Sequence, residues 1–205
     1  MEIVKKYFKI SPRQQRLLGA YVELLKDWNG KVNLISRKDM DAIWEHHILH
    51  SLAIAKVVDF SNTKVIDVGT GGGLPGIPLS ILYPKAEFTL IDSIGKKINV
   101  VNDIIERLQL TNVEAIKTRS TEHKGKYDFI VARAVTDFRR FYKETKHLLV
   151  KGKKTNLHNG IIYLKGGDFD QEINPFKKQT TVFEISSFFE EEFFATKKII
   201  YFRYE

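Results

Sequence analysis

The sequence predicts an α/β fold, in which a helical N-terminal extension precedes a seven-stranded, mostly parallel sheet that ends in an antiparallel hairpin. Three observations predict it. From Lys64 onward short apolar runs alternate with helical periodicity, a glycine-rich turn follows the first of these runs, and two apolar runs near the C-terminus are joined by one short connection. With 205 residues, 43% of them hydrophobic, the chain is long enough for one such domain and its extension.

The first sixty residues are predicted to be mostly helical. Ser11 and Gln14 have the spacing of a capping box at a helix start, and apolar residues then recur every three or four positions. A second amphipathic stretch runs from about residue 40 to residue 57. We therefore expect a helical extension over 1–60 and the main domain over 61–205.

The remaining elements follow from alternating patterns. Strands are expected at 64–68, 88–91, 113–116, 129–132, 161–164, 180–185 and 198–204. Helices are expected at 77–82, 97–108 and 137–149. Strand–helix alternation predicts a parallel sheet covered on both faces. Only the segment 188–194 separates the last two strands, which is too short for a parallel crossover, so these strands should form an antiparallel hairpin.

The glycine-rich turn after the first strand can be interpreted in two registers. Gly71, Gly73 and Gly76, with Asp92 on the second strand, match the dinucleotide fingerprint of dehydrogenases. Asp67, Gly69, Gly71 and Gly73 instead match a loop that holds S-adenosylmethionine. In this register the strand acid binds water or the amino group, and Asp92 accepts ribose hydroxyls. The strand-end acid and the terminal hairpin favour methyl transfer, and the dehydrogenase is the alternative.

Several motifs resemble one family in particular. They lie at residues 65–79, 31–36, 47–52, 91–97, 119–120, 127–134 and 164–166. Together they resemble the bacterial small-subunit ribosomal RNA guanine-N7 methyltransferases, also called the glucose-inhibited division protein B family. The resemblance implies a Rossmann-like class I fold, S-adenosyl-L-methionine as cofactor, and methylation of guanine N7 in 16S ribosomal RNA.

The resemblance also implies cofactor contacts at particular positions. These positions are Gly69, Leu74, Ser120, Thr121 and Arg133. The chain departs from the family where acids usually occupy the positions of Thr121 and Glu122, because Thr121 can form hydrogen bonds but carries no charge. It departs again in the motif around His47, where His46 and His50 replace the family's usual arginine and aspartate.

The residues suit methylation of a ring nitrogen. Guanine N7 has a free lone pair, so the enzyme's main task is to position two reactants rather than to remove a proton. Methylation of cytosine C5 would need a cysteine nucleophile, and the chain has no cysteine. The Pro-Pro-aromatic motif typical of amino-group methylation is missing after the fourth strand.

Three basic residues follow or end successive strands. Arg119 follows the third strand, Arg133 ends the fourth and Lys165 ends the fifth. Since these ends share one edge of a parallel sheet, we predict that the three residues surround the guanine pocket as catalytic residues, with Arg133 nearest the cofactor. Separate solvated charges are the alternative, and for Arg133 an ion pair with Asp137. The net charge of +8 agrees with an RNA substrate.

Other features restrict the function class. His46 and His50 have a spacing that suits zinc, but no third ligand is evident, so we expect no metal. The sequence has neither a long apolar stretch nor an apolar leader at its start. We expect a cytoplasmic monomer that acts on 16S ribosomal RNA or a small-subunit particle, without membrane or obligate protein partner. A small-molecule methyltransferase and an RNA-binding module with a vestigial cofactor loop are the alternatives.

Overall fold

The fold is that of a seven-stranded sheet between helical layers. The computed structural model describes residues 1–133, 135–167 and 169–205, and of Arg37 only the backbone. The strands are β1 Lys64–Val68, β2 Glu87–Asp92, β3 Val113–Lys117, β4 Phe129–Arg133, β5 Gly160–Gly166, β6 Thr180–Glu184 and β7 Lys197–Arg203. Each overlaps its expected position, which confirms the strand predictions. Ala134, the last residue of one family-like motif, lies outside the described residues.

The helices flank these strands in chain order. They are α1 Glu2–Tyr7, α2 Pro12–Asn29, α3 His50–Leu52, α4 Gly76–Leu82, α5 Gly95–Leu108, α6 Phe138–Thr145 and α7 Asp170–Ile173. A π-helical turn, Trp44–Leu49, precedes α3, and a 3-10 turn, Ala53–Lys56, follows it. The helix expected over 137–149 ends earlier as an α-helix, because a 3-10 turn, Lys146–Leu148, leads the chain into a bridge between Leu149 and Tyr127.

The sheet has the strand order β3-β2-β1-β4-β5-β7-β6. The first five strands in this order are parallel to one another, whereas β7 pairs antiparallel with both β5 and β6. The predicted antiparallel hairpin is confirmed, with β7 inserted between β5 and β6. The order reverses direction between β1 and β4, and in open α/β sheets ligands bind at the carboxyl ends of the strands beside such a point.

The N-terminal helices pack against the main domain. Ser11 and Gln14 form the predicted capping box, and the Gln14 side chain also donates to the carbonyls of Ile81 and Leu82 at the end of α4. The Tyr21 hydroxyl donates to the Gly72 carbonyl at 3.0 Å. Buried residues of α2 and of the sheet share one apolar core. The extension therefore supports the glycine loop directly, while its boundary at residue 60 stays a prediction.

Candidate functional site

A cleft of about 790 Å³ opens at the carboxyl ends of β1, β2 and β4. Its walls come from the glycine loop, the ends of β2 and β4, the turn after β3, and α6. The lining residues are Leu34, Val68, Gly69, Thr70, Gly71, Gly72, Leu74, Ile91, Asp92, Ser93, Lys97, Thr118, Arg119, Ser120, Thr121, Arg133, Val135, Arg140 and Glu144. The cleft lies at the reversal point of the sheet, where the fold predicts a ligand.

The glycine loop holds its shape through backbone hydrogen bonds to the neighbouring strand. The amides of Gly69 and Thr70 both donate to the Ile91 carbonyl, at 2.9 and 3.0 Å. Gly71 has a φ of +59°, and a Cβ placed on it would meet no protein atom within 4 Å. The positive φ favours glycine at this position. Because no protein atom fills the space above Gly71, that space is open to a ligand.

Asp67 lies beneath this loop and is fully buried. Its Oδ2 atom accepts from the Thr70 hydroxyl at 2.6 Å and from the Gly76 amide at 2.9 Å. Burial raises the pKa of Asp67 to about 7. Its Oδ1 atom is buried and has no hydrogen-bond partner among the described residues. Asp67 thus fixes the ends of the loop and is not among the cleft-lining residues, so its expected contact with the cofactor stays a prediction.

Asp92 connects the end of β2 to the glycine loop. Its Oδ2 atom accepts from the Gly71 amide at 3.1 Å, and its Oδ1 atom accepts from the Ile94 amide at 2.9 Å. Each carboxylate oxygen has a further lone pair. Asp92 lines the cleft, so it can shape the loop and accept ligand hydroxyls at the same time.

The other expected cofactor positions also reach the cleft. Leu74 lines it from the glycine loop, and Ser120 and Thr121 line it from the turn after β3. Leu74 is almost completely buried. The lining thus divides into apolar side chains, those of Leu74, Val68 and Ile91, and hydroxyl groups, those of Ser120 and Thr121. This division suits a ligand with an apolar ring and polar edges.

Arg133 ends β4 and meets the helical N-terminal region. Its Nη1 atom donates to His47 Nδ1 at 3.0 Å and approaches the His46 carbonyl at 3.5 Å. Burial lowers the pKa of Arg133, although the nearby Tyr21 and Asp67 act in the opposite direction. The alternative for Arg133, an ion pair with Asp137, is not formed, because the Asp137 side chain instead accepts from the first amides of α6. Arg133 is therefore a charged group at the cleft wall that is oriented by a histidine.

The two histidines with zinc-like spacing have other partners. His46 pairs with Asp39 at 3.0 Å and stacks on Phe193 with ring centroids 3.9 Å apart. His50 is buried, and burial lowers its pKa well below the usual value. Within the described part of the chain, no three His, Asp or Glu side chains are grouped so that they could hold a metal ion.

The three basic residues expected around the guanine pocket separate into two groups. Arg119 and Arg133 line the cleft, whereas Lys165 is not among the lining residues. Lys165 instead forms an ion pair with Glu172 of α7. The same Glu172 oxygen accepts from the Phe138 amide at the start of α6 at 2.8 Å. No sequence pattern predicted α7, which supplies the partner of Lys165. The role of Lys165 stays a prediction.

Several lining residues were not predicted from the sequence. They are Leu34, Val68, Thr70, Gly72, Ile91, Ser93, Lys97, Thr118, Val135, Arg140 and Glu144. Ser93 could have been found from its position directly after Asp92. Arg140 and Glu144 form an ion pair of 2.8 Å along α6, and no local pattern distinguishes such a pair from an ordinary solvated helix face. The approach of α6 to the cleft depends on tertiary packing.

The residues present fit S-adenosylmethionine. The cofactor has an adenine, a ribose diol and a charged amino acid group. The open space above Gly71, the spare lone pairs of Asp92, the hydroxyls of Ser120 and Thr121 and the apolar side chain of Leu74 offer matching chemistry. The cleft volume also lies in the range of ordinary cofactor sites.

Comparisons with known proteins place the chain in a family. A family model described as rRNA small subunit methyltransferase G, GidB, matches residues 14–199. The ribosomal RNA small subunit methyltransferase G of Cytophaga hutchinsonii is 47% identical over 203 residues, covering 98% of both chains.

Solved structures support the fold. The structure of MtNAS in complex with S-adenosylmethionine, determined for a mutant, has a TM-score of 0.60 at 16% identity and covers 94% of this chain and 76% of its own. Precorrin-6y C5,15-methyltransferase from Geobacter metallireducens has a TM-score of 0.55 at 11% identity, covering 83% and 91%. At these identities the likeness concerns the fold alone.

Proposed function

We propose that this chain, which belongs to the rRNA small subunit methyltransferase G family, transfers the methyl group of S-adenosylmethionine to guanine N7 in 16S ribosomal RNA. The observation that supports S-adenosylmethionine as the methyl donor is that Gly71, Asp92 and Arg133 line the same cleft. The name of the curated relative supports a small-subunit RNA as acceptor. The assignment of guanine as the base and N7 as the methylated atom depends on the resemblance of the sequence motifs.

The cofactor-binding residues proposed here act through distinct groups. Asp92 would accept the ribose hydroxyls, and the loop from Gly69 to Gly71 would lie against the cofactor with its backbone. Leu74, Ser120 and Thr121 would surround the adenine. Asp67 has one buried oxygen without a partner, which suits a contact with water or with the amino group.

For methyl transfer to guanine N7, the main task of the protein is to position the two reactants. When bound, S-adenosylmethionine supplies a methyl group that its positive sulfur already activates. Because N7 exposes a lone pair, no general base is needed, and alignment of the two reactants supplies most of the rate. Both carboxylates among the described lining residues are engaged, Asp92 by two backbone amides and Glu144 by Arg140. This arrangement agrees with a reaction that removes no proton from its acceptor.

The RNA would approach over basic side chains. Arg119 is exposed at the cleft, and Arg133 lies deeper in its wall. Lys165 would act from beside the cleft, with its charge shared with Glu172. We propose that the protein works as a cytoplasmic monomer on 16S RNA or on a small-subunit particle. In the part of the chain that the structure describes, no helix is long and apolar enough to cross a membrane.

The decisive experiment is methylation of ribosomal RNA from cells that lack this gene. Purified protein and labelled S-adenosylmethionine would be incubated with naked 16S RNA, precursor particles and assembled small subunits, and the product would be mapped by mass spectrometry. We expect one 7-methylguanine in 16S RNA. Methylation of small molecules only, cofactor binding without any transfer, or tight binding of NAD would each contradict it.

A further inference from the structure

The loop after β4 is held by one hydroxyl group. The Tyr163 hydroxyl accepts from the Val135 amide at 2.8 Å and from the Thr136 amide at 2.9 Å, and it donates to the Thr136 carbonyl at 2.8 Å. A tyrosine hydroxyl offers one donor and two acceptor lone pairs, so all its capacity is directed at this loop. Three backbone groups of two successive residues therefore depend on a single side chain.

Tyr163 is a rigid support for this purpose. It lies in the middle of β5, is completely buried, and is flanked by Phe138 and Phe141 with ring centroids 6.2 and 5.0 Å away. Burial raises the pKa of Tyr163, so the hydroxyl keeps its proton at neutral pH. Tyr163 thereby anchors the loop after β4 to the core of the sheet.

The residue that Tyr163 fixes is an exposed apolar one. Three large apolar side chains among the described residues are markedly exposed, those of Ile94, Val135 and Val182. Of these, Val135 lines the cleft, where its side chain is 42% exposed. It also lies over the glycine loop, because a Cβ on Gly69 would come within 3.0 Å of Val135 Cγ2. An exposed branched side chain thus borders the cleft beside the glycine loop.

We propose that Val135 is the apolar side chain that contacts the ring face of the target guanine, and that Tyr163 is the positioning residue that holds Val135 there. This inference rests on the proposed function, since it assigns the acceptor side of the same cleft. Enzymes that modify a base take it out of its stack and hold it between aromatic or apolar side chains. Val135 offers such a surface beside Arg133, whose donors can meet the edge of the base.

Steady-state kinetics with RNA, combined with titration of S-adenosylmethionine, test the assignment in wild type, Tyr163→Phe and Val135→Ala. We expect both variants to lose about 10-fold or more in kcat/KM for RNA, since small displacements of a reactant are costly. Cofactor affinity should stay within about 3-fold. Val135→Ile should restore most of the loss in Val135→Ala, because it keeps a branched apolar surface. Val135 is exposed, so its variants are expected to fold even if Tyr163→Phe is unstable.

Tyr201→Phe is the matched control. Tyr201 lies on β7, and its hydroxyl donates to the His158 carbonyl at 2.9 Å, before the start of β5 and away from the cleft. It should leave the kinetics unchanged. Wild-type kinetics in both Tyr163→Phe and Val135→Ala would overturn the inference, and so would an equal loss of cofactor affinity. Failure of the wild-type protein to methylate RNA would instead overturn the proposed function itself.

Discussion

Arg133 donates a hydrogen bond to Nδ1 of His47 at 3.0 Å, and this contact joins the end of β4 to the helical N-terminal region. A guanidinium can only donate, so Nδ1 must be the acceptor and the proton of the neutral ring must lie on Nε2. His47 Nε2 is buried without a partner among the described residues. His47 therefore acts as a neutral support for a charged cleft residue.

The first prediction concerns pH and stability. Burial, with a smaller effect of the Arg133 charge, lowers the pKa of His47 to about 3 from 6.5. The folded state therefore takes up a proton less readily than the unfolded chain. The contribution of neutral His47 to the free energy of unfolding is fully present above pH 6.5. It is lost as the pH falls from 6.5 towards 3, by about 1.4 kcal/mol per pH unit.

His47→Asn keeps an acceptor near the position of Nδ1 and removes the titration. Urea unfolding at pH 7.5 and 5.5 should show a smaller loss of free energy in the variant than in the wild type. His50, whose pKa burial also lowers, keeps its own share of the slope in both proteins. Equal losses in the two proteins would rule out His47 as a source of the acid sensitivity.

The second prediction concerns Asp92. Asp92→Ala should weaken S-adenosylmethionine binding by about 10-fold or more, because the ribose loses a charged acceptor worth about 1.5–3 kcal/mol. The Gly71 and Ile94 amides lose their partner as well. Calorimetric titration measures the effect. Glu87→Ala is the control, since Glu87 is an exposed acid at the opposite end of the same strand; equal affinities of the two variants would remove Asp92 from the site.

The third prediction concerns Gly71. Gly71→Val should abolish cofactor binding, because its side chain would extend into the open space above the loop. Gly167→Val is the matched control. Gly167 has a φ of +77° and equally open surroundings but does not line the cleft.

Both glycine variants should lose about 1–2 kcal/mol of stability through backbone strain, and only Gly71→Val should lose the cofactor. Thermal unfolding and cofactor titration separate the two effects. If Gly71→Val folds and binds normally, Gly71 serves only the turn.

The fourth prediction compares two basic residues. Arg119→Ala should weaken RNA binding and reduce the slope of log affinity against log salt by about one, as expected for one lost phosphate contact. Lys165→Ala should also weaken RNA binding and leave cofactor affinity nearly intact, but with a smaller change of slope, because Glu172 already neutralises part of its charge.

Binding of 16S RNA at several salt concentrations measures these slopes. Lys85→Ala serves as the control, since Lys85 is exposed and lies outside the cleft lining. Wild-type slopes in Arg119→Ala would mean that the RNA approaches from another face.

Much of the fold could be predicted because its signals are local. The apolar run at β1, the capping box of Ser11 and Gln14, and the short connection before β7 each depend on neighbouring residues, and each is confirmed. The family expected from the motifs is confirmed by the match over residues 14–199. The end of α6 and the presence of α7 were not predicted, because neither has a strong periodic or capping signal.

The sequence by itself determined the fold class, the glycine loop, and the acids Asp67 and Asp92 that border it, since a strand, a turn and their periodicity are encoded by adjacent residues. Only the tertiary structure decided which side chains share the cleft. It placed His47 within hydrogen-bonding distance of Arg133 and paired Lys165 with Glu172. It also placed Val135 over Gly69, where the Tyr163 hydroxyl binds the Val135 amide. His47 and Arg133, and Tyr163 and Val135, are distant in the chain, whereas Lys165 and Glu172 are seven residues apart and meet because α7 turns back towards β5. All three contacts depend on how helices and loops pack on the sheet, which no local pattern records.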